Sequence, residues 1–398
     1  MIDSKLQNVI LSEMIDKLDL PDYIYEKAVN RYKSLGEWFD RDDSSVINNK
    51  PHIFAQGSFS LGTAIRPLND TDEYDLDLAC VLSSGITCDK YSQHQLQVIV
   101  KNELEQYIRA LQIETDIEIK HRCLRISYLD DVRFHMDIVP SIPADINIQR
   151  VIMESMIKYG ANESFAHDAS ESTILITDDR HPKFMSICND WKVSNPEGYT
   201  NWFIDRMELG SKHVLLEKAA QVDDVPFYRR KAPLQRVIQL LKRHRDVMFQ
   251  NQTDSKPISI IITTLAANAY SGETDDATAL INILEGMEKY IRNQHPRVPN
   301  PVDPGEDFAD RWRMAEYKHL KLESYFRLWL TQAKQDFRSL FARNDTSFIS
   351  SLAEQKFSTK VNREILYKHV QLSQVIVDRY KPNEHLISDA PAKPWKKI

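Results

Sequence analysis

The chain has 398 residues, of which 42% are hydrophobic and 27% charged, and its formal net charge is −7. This composition supports two or three soluble domains, and the sequence contains no apolar run long enough to span a membrane. The acidic balance argues against a sequence-specific nucleic-acid binder, although one face can still be basic. The N-terminus does not resemble a signal peptide, and four cysteines without a C-x-x-C pair indicate reduced thiols. A cytoplasmic protein is therefore expected.

The first half of the chain has the pattern of a mixed α/β unit. Apolar spacing predicts a helix from residue 5 to Pro21 and a second helix from Asp22 to Trp38. An amphipathic helix is expected over 92–111. Strands are expected at 74–82 and at about 113–120, 122–129 and 133–139, and Pro140 is expected to end the last one because it cannot donate a hydrogen bond.

The rest of the chain is expected to be an insertion followed by helices. Residues 145–205 look irregular and polar, with short strand-like runs such as 173–176. The expected helices lie at 207–220, 231–250, 257–270, 277–292, 306–342 and 361–379. We therefore predict an α+β fold with three parts: a core with N-terminal helices and an insertion (1–205), a helical domain (206–381) and a flexible tail (382–398).

Two aspartates on one predicted strand are the first candidates for a functional site. Asp75 and Asp77 share one face of their predicted strand, while Leu76 and Leu78 face the other way. Adjacent carboxylates repel unless a cation lies between them, and carboxylates with substrate phosphates suit Mg²⁺. Glu73 lies on the same face and is an alternative first ligand. A lone D-x-D is more often a solvated face.

Asp137 is a candidate third carboxylate on the strand that Pro140 ends. Three converging carboxylates can hold two Mg²⁺ ions about 3.5–4 Å apart and so catalyse phosphoryl transfer. Taken alone, Asp137 could instead pair with Arg133 or Arg125. His135 is more simply a packing or hydrogen-bonding histidine than a general base, because metal-assisted transfer needs no histidine.

Phosphate-binding groups are suggested at two places. Gly57 allows the backbone to approach a phosphate closely, and the Ser58 hydroxyl can donate to it, although most Gly-Ser pairs are only turns. Lys242 lies off the apolar stripe of its predicted helix and could reach a triphosphate across a cleft. The alternative for Lys242 is a solvated basic face.

Several segments together resemble the bacterial cyclic GMP-AMP synthase-like nucleotidyltransferases (CD-NTases) of the polymerase-β superfamily. The residues that carry the likeness are Gly57–Pro67, Asp72–Leu78, His135–Pro140, Trp191, Asn195–Pro196, Trp202–Phe203, Leu241–Lys242, Ser259–Leu265, Asn300–Pro304 and Phe308–Trp312. The resemblance implies a polymerase-β-like core, a C-terminal helical bundle and an active site in the cleft between them.

The resemblance also implies a function. CD-NTases join NTPs, commonly including ATP, into cyclic di- or trinucleotides that activate a separate effector in antiphage defence (CBASS). Transferred residue by residue, Asp75, Asp77 and Asp137 bind two Mg²⁺ ions, which Mn²⁺ can replace. Gly57 and Ser58 hold the donor triphosphate, supported by Lys242 and Ser259. A HORMA-type sensor or ubiquitin-like conjugation regulates some relatives.

Three other functions stay open from the sequence. The enzyme could make linear oligonucleotides or extend an RNA end, which would require a basic track beyond the site. It could be an inactive nucleotide sensor, although all three aspartates are present. A toxin–antitoxin nucleotidyltransferase is usually much shorter than this chain.

Overall fold

A computed structural model describes residues 2–69, 73–128, 133–209, 231–291 and 296–369. Two helices open the chain, α1 (Ser4–Leu18) and α2 (Asp22–Phe39), and Pro21 lies between them as predicted. Asp3 caps α1 by accepting a hydrogen bond from the Leu6 backbone N–H. No helix in the described ranges is both long and apolar enough to cross a membrane.

Within the described residues, a mixed seven-stranded sheet forms the centre of the first half. Its strands are β1 (Pro51–Gln56), β2 (Tyr74–Leu82), β3 (Glu118–Ile119), β4 (Leu124–Tyr128), β5 (Phe134–Pro143), β6 (Ile174–Ile176) and β7 (Lys192–Ser194). The main path runs β1-β2-β5-β4-β3, and β6 and β7 continue beside the end of β5. β2 and β5 are parallel, whereas β1 and β4 flank them in antiparallel orientation.

The sheet core is the apolar cluster that buries one face of the sheet under α2 and α4 (Gln93–Ala110). Leu76, Leu78, Cys80 and Leu82 all lie in it, so the alternation expected for β2 is confirmed. The opposite face of β2 carries the aspartates and then Ala79 and Val81, which join a small separate cluster.

Strand β5 continues past Pro140, contrary to prediction. β4 pairs with β5 only as far as Ile138, so a proline at 140 removes no hydrogen bond between these two strands. The Pro140 carbonyl accepts from the Thr177 backbone N–H at 3.2 Å. On this side, β5 therefore pairs with β4 before Pro140 and with β6 after it.

The segment 145–205 is more regular than expected. It contains α5 (Ile146–Lys158), α6 (Glu163–Glu171) and α7 (Pro196–Glu208), with the predicted short strand at 174–176 between α6 and α7. Residues 207–208 complete α7, and the remainder of the helix expected at 207–220 lies almost wholly outside the described residues.

In the described part of the helical half the longer helices are α8 (Pro233–Met248), α9 (Ser259–Ala269), α10 (Asp276–Gly286), α11 (Leu322–Leu340) and α12 (Thr346–Phe357). Three predicted helices correspond to α8, α9 and α10. The helix predicted from 306 is wrong at its start, because a hairpin of β8 (Pro299–Asn300) and β9 (Asp303–Asp307) and short 3₁₀ turns precede α11. α12 was not predicted. Of the helix expected at 361–379, residues 363–369 are helical and the rest lies outside the described ranges, as does the expected tail.

The helical core is the large apolar cluster of this half, and it extends beyond the C-terminal helices. It includes side chains of α1, such as Ile10 and Leu11, and of α5–α7, such as Met156 and Phe203. Helices from both ends of the chain therefore enclose one core. The division of the chain at residue 205 stays a prediction.

Candidate active site

Three carboxylates lie side by side on the central strands. Asp75 and Asp77 are two residues apart on β2 and share its polar face. The parallel strand β5 places Asp137 directly opposite Asp77 in the register. The structure thus brings the three predicted aspartates together. About 63% of the Asp75 side chain is exposed, so one edge of the cluster is open to a ligand.

The cluster carries more negative charge than its surroundings compensate. Burial, followed by repulsion from Asp137 and Asp75, raises the pKa of Asp77 to about 7. A cation bound between the carboxylates would relieve this repulsion. The electrostatics therefore favour a positively charged ligand at this place.

Arg125 supplies part of that charge within the chain. From β4 it donates two hydrogen bonds to Asp137, from Nε to Oδ1 at 2.6 Å and from Nη2 to Oδ2 at 2.7 Å, and its Nη2 lies 3.8 Å from Asp75 Oδ1. The hydrogen bond to Asp137 raises the pKa of Arg125. The sequence suggested this pairing only as an alternative to a site, whereas the structure shows the pair inside the carboxylate cluster.

The residues suit a divalent cation chemically, because hard carboxylate oxygens are the ligands that Mg²⁺ prefers. In the part of the chain that the structure describes, no three His, Cys, Asp or Glu side chains are arranged to hold a metal as they stand. The bidentate Arg125 pair occupies both oxygens of Asp137. Each of these oxygens keeps a second lone pair, so Asp137 can still bind a cation, with the positive charge of Arg125 close by.

Gly57 lies directly against the cluster. It begins the short helix α3 (Gly57–Ser60), its φ is +67°, and a Cβ placed on it would lie 2.6 Å from Asp77 Oδ2. Only glycine allows both this backbone conformation and this approach. Ser58 follows it, half-buried, with its carbonyl accepting from the Thr63 backbone N–H at 2.9 Å.

Lys242 is buried rather than solvated, so the alternative of a basic surface is wrong. Only 5% of the residue is exposed, and its Nζ donates to the carbonyl (3.0 Å) and the hydroxyl (2.9 Å) of Thr63. Burial, and after it the charge of Arg245, lowers the pKa of Lys242 to about 7, although Asp246 and Asp77 oppose the shift. Lys242 thus lies behind the Gly57–Thr63 turn, within electrostatic reach of the carboxylates.

Ser259 is the predicted residue least connected to the cluster. It begins α9, and its hydroxyl accepts from Arg245 Nη1 at 2.7 Å. Among the described contacts, none joins Ser259 to an aspartate. Its link to the site runs through Arg245 to Lys242.

Three further side chains lie near the cluster: Glu73, His135 and Cys123. Glu73, the alternative first ligand, forms an ion pair with His135 Nε2, and His135 Nδ1 lies 3.0 Å from the Ser127 hydroxyl. The hydrogen-bonding role expected for His135 is confirmed. Cys123, which sequence reasoning did not place here, lies beside Asp137, and burial raises the pKa of its thiol to about 12.

A mixed sheet that presents three carboxylates beside a glycine turn, backed by a helical bundle, has the architecture of a polymerase-β-like nucleotidyltransferase. The model of the nucleotidyltransferase domain of cyclic GMP-AMP synthase DncV-like proteins matches residues 51–140, from β1 into β5.

Two curated relatives extend the likeness over most of the chain. A c-di-GMP synthase from Roseivirga ehrenbergii is 30% identical over 323 residues, covering 78% of this chain and 74% of the relative. Cyclic dinucleotide synthase CdnG from Bradyrhizobium diazoefficiens is 24% identical over 325 residues, covering 77% and 70%. The chain therefore belongs to the CD-NTase family, and it is a nucleotidyltransferase.

Solved structures show the same fold. The Bradyrhizobium diazoefficiens CD-NTase CdnG in complex with GTP aligns with a TM-score of 0.60 at 20% identity, covering 92% of this chain and 99% of that one. The CdnC:HORMA-deltaN complex from E. coli MS115-1 aligns with a TM-score of 0.56 at 14% identity, covering 91% and 98%. The predicted α+β class, with its core and C-terminal helices, is confirmed.

Proposed function

We propose that this enzyme condenses NTPs into a cyclic dinucleotide, with GTP among its substrates, and that the product is a second messenger in antiphage defence. The observation that carries the proposal is the register of Asp77 with Asp137 beside Asp75 and Gly57. The names of the two curated relatives support a cyclic dinucleotide, and the GTP complex of CdnG supports GTP.

In this reaction a ribose hydroxyl of one nucleotide attacks the α-phosphorus of another. One P–O bond forms, one breaks, and pyrophosphate leaves. Bound Mg²⁺ would lower the pKa of the attacking hydroxyl and neutralise the leaving pyrophosphate. Asp75, Asp77 and Asp137 would hold the metal, with Asp137 nearest the attacking hydroxyl.

The remaining residues hold the donor. The Gly57 backbone and Ser58 hydroxyl would bind the triphosphate, and Lys242 would stabilise it from behind the turn. A second round of the same transfer closes the ring. Positioning and charge neutralisation provide most of the catalysis in such a site. A HORMA-type partner and a cytoplasmic location remain predictions for this chain.

The test is product analysis with purified protein. The protein is incubated with labelled GTP, ATP, CTP and UTP and with Mg²⁺ or Mn²⁺, treated with phosphatase, and the resistant product is identified by mass. We expect a cyclic dinucleotide that contains guanylate. A phosphatase-sensitive oligomer would instead support the linear alternative.

Two double variants show whether the carboxylates are responsible. Asp75→Ala with Asp77→Ala should abolish product, whereas Asp89→Asn with Asp116→Asn changes two exposed aspartates and should not. Product that survives the first double variant would refute the site assignment. A wild type that makes no product with any NTP, even with candidate activators, would contradict the proposed function.

A further inference from the structure

One stripe of helix α8 is polar and yet buried. It consists of Gln235, Gln239, Lys242 and Arg243, of which between 0% and 5% is exposed. Their spacing places them on neighbouring turns of one helix face. Long polar side chains are rarely buried so completely unless each finds a partner.

The partners are the backbone carbonyls of residues 61–67, the segment that follows the Gly57–Ser58 turn. Gln235 Nε2 donates to the Leu61 carbonyl at 2.9 Å, and Gln239 Nε2 donates to the Ala64 carbonyl at 2.8 Å. Lys242 and Arg243 donate to the carbonyls of Thr63 and Arg66, at 3.0 Å and 2.5 Å. We call this set of four side chains on 61–67 the carbonyl clasp.

The backbone N–H groups of this segment have backbone partners at Leu61, Gly62, Thr63 and Arg66, but no described backbone N–H donates to one of its carbonyls. The segment belongs to no helix or strand, so buried carbonyls within it need donors from elsewhere. The carbonyl clasp supplies them from a helix of the helical core. The conformation of 61–67 is therefore held from two sides: α8 binds its carbonyls, and the N–H groups of 61–63 bind back to the carbonyls of the Gly57 turn.

The C-terminal end of α1 also contacts Gln239 and the 61–67 segment. Asp19 Oδ1 accepts from Gln239 Nε2 at 2.7 Å and pairs with Lys231. The Arg66 side chain donates from Nε to the Asp19 carbonyl at 2.5 Å, and the Arg66 backbone N–H donates to the Leu18 carbonyl at 2.9 Å. Gln239 thus joins α8, α1 and the 61–67 segment through one amide group.

We infer that Gln239, with Gln235, is a positioning residue for nucleotide binding: it fixes the Gly57–Ser58 turn to α8 so that the turn stays aligned with the carboxylates of β2. The role in nucleotide binding rests on the proposed function, whereas the attachment of the turn to α8 does not. Neither glutamine needs to touch the substrate. Gln239 gives the cleaner test, because Gln235 also accepts from the Ala232 backbone N–H at the start of α8.

The test compares Gln239→Leu with Gln97→Leu. Gln97 is equally buried on α4, and its amide nitrogen has no hydrogen-bond partner within the described ranges, so the control repeats the same change away from the clasp. Hydrogen exchange of the free protein is measured first. Gln239→Leu should speed exchange of the amides of residues 58–66, and Gln97→Leu should not.

Steady-state kinetics with GTP and Mg²⁺ follow on the same proteins. Loss of the Gln239 amide should raise KM for GTP up to about tenfold with a smaller change in kcat, since only one of its two hydrogen bonds, the one to the Ala64 carbonyl, holds the 61–67 segment. Unchanged exchange at 58–66, or equal KM in both variants, would overturn the inference. A different result would separate the two proposals. If the wild type makes no product but Gln239→Leu still exchanges faster at 58–66, the proposed function is overturned and the carbonyl clasp has a structural role only.

Discussion

Gly57 combines two constraints at a single residue. Its φ of +67° is costly for any residue with a Cβ, and that Cβ would overlap with Asp77 Oδ2. Gly57→Ala should therefore lower stability by about 1–2 kcal/mol and lower product formation by at least about tenfold, because the turn must move away from the carboxylates. Urea unfolding and initial rates measure the two effects.

Gly160 provides the matched control for this prediction. Its φ is +96°, and nothing lies within 4 Å of the Cβ that alanine would add. Gly160→Ala should show the loss of stability without the loss of activity. Equal activity in the two variants would show that the close approach to Asp77 has no role in catalysis.

Asp77 should make the stability of the metal-free protein depend on pH. Its folded-state pKa of about 7 lies above the ordinary 3.8, so between these values the native state binds more protons than the unfolded state. Stability should accordingly fall as pH rises from about 4 to about 7, by a few kcal/mol at most. Asp77→Asn should remove this component.

Thermal unfolding in EDTA at pH 5 and pH 8 measures this component as a difference between wild type and variant. Addition of Mg²⁺ at pH 8 should stabilise the wild type more than Asp77→Asn, because the cation relieves the repulsion. Asp116→Asn, at an exposed position, should behave as wild type. Parallel pH profiles for wild type and Asp77→Asn would contradict the charge assignment.

At the scale of elements, the residue that caps α7 also forms a hydrogen bond to a neighbouring helix. Asn195 caps α7 by accepting from the Gly198 backbone N–H at 2.9 Å, and its Nδ2 donates to the buried Ala169 carbonyl at 2.6 Å. Asn195→Ala removes both interactions and should cost about 2–4 kcal/mol in the free energy of unfolding.

The comparison is with Asn162, which caps α6 at an exposed position and accepts from Ser164 and Phe165. Asn162→Ala loses only the cap and should cost about 1 kcal/mol. Urea titration of both variants gives the two values. Equal losses would show that the Ala169 bond contributes nothing to the role of Asn195.

Most elements with clear local signals were predicted, with α5 and α12 as exceptions, and elements that depend on tertiary partners were not. Strand phase identified the faces of β2. The helix predicted from 306 is wrong at its start because Asp307 accepts a hydrogen bond from the Val298 backbone N–H within the hairpin. α5 and α12 carry aspartate caps, Asp145 and Asp345, that were legible in the sequence and were overlooked.

The candidate site divides in the same way. Asp75 and Asp77 follow from alternation along one strand, and Asp137 follows from a second strand of the same kind. The sequence offered Arg125 only as one of two alternative partners for Asp137, because the choice depends on strand register. It did not indicate Gln239, whose contact joins residues 175 apart in sequence. Burial of Lys242 was equally hidden, since a lysine on a helix normally faces water.

At the scale of the whole molecule, α1 is part of the helical core although it opens the chain. Ile10 is fully buried in that core, so Ile10→Ala should lower the free energy of unfolding by about 2–5 kcal/mol. Ile146, which is 75% exposed at the start of α5, provides the control. Ile146→Ala should change the free energy of unfolding by less than about 0.5 kcal/mol. Urea unfolding followed by circular dichroism measures both. A loss at Ile10 no larger than at Ile146 would show that α1 contributes little to the core.

The position of α1 also has a consequence during synthesis. The buried residues of the sheet core lie within 24–191, and so its strands can assemble while the ribosome is still translating the helical half. The apolar face of α1 must wait for α8 and α10, which at about 5–20 residues per second emerge roughly ten seconds or more later. During that interval the apolar face of α1 is exposed to solvent, and we expect chaperones that bind nascent chains to recognise it.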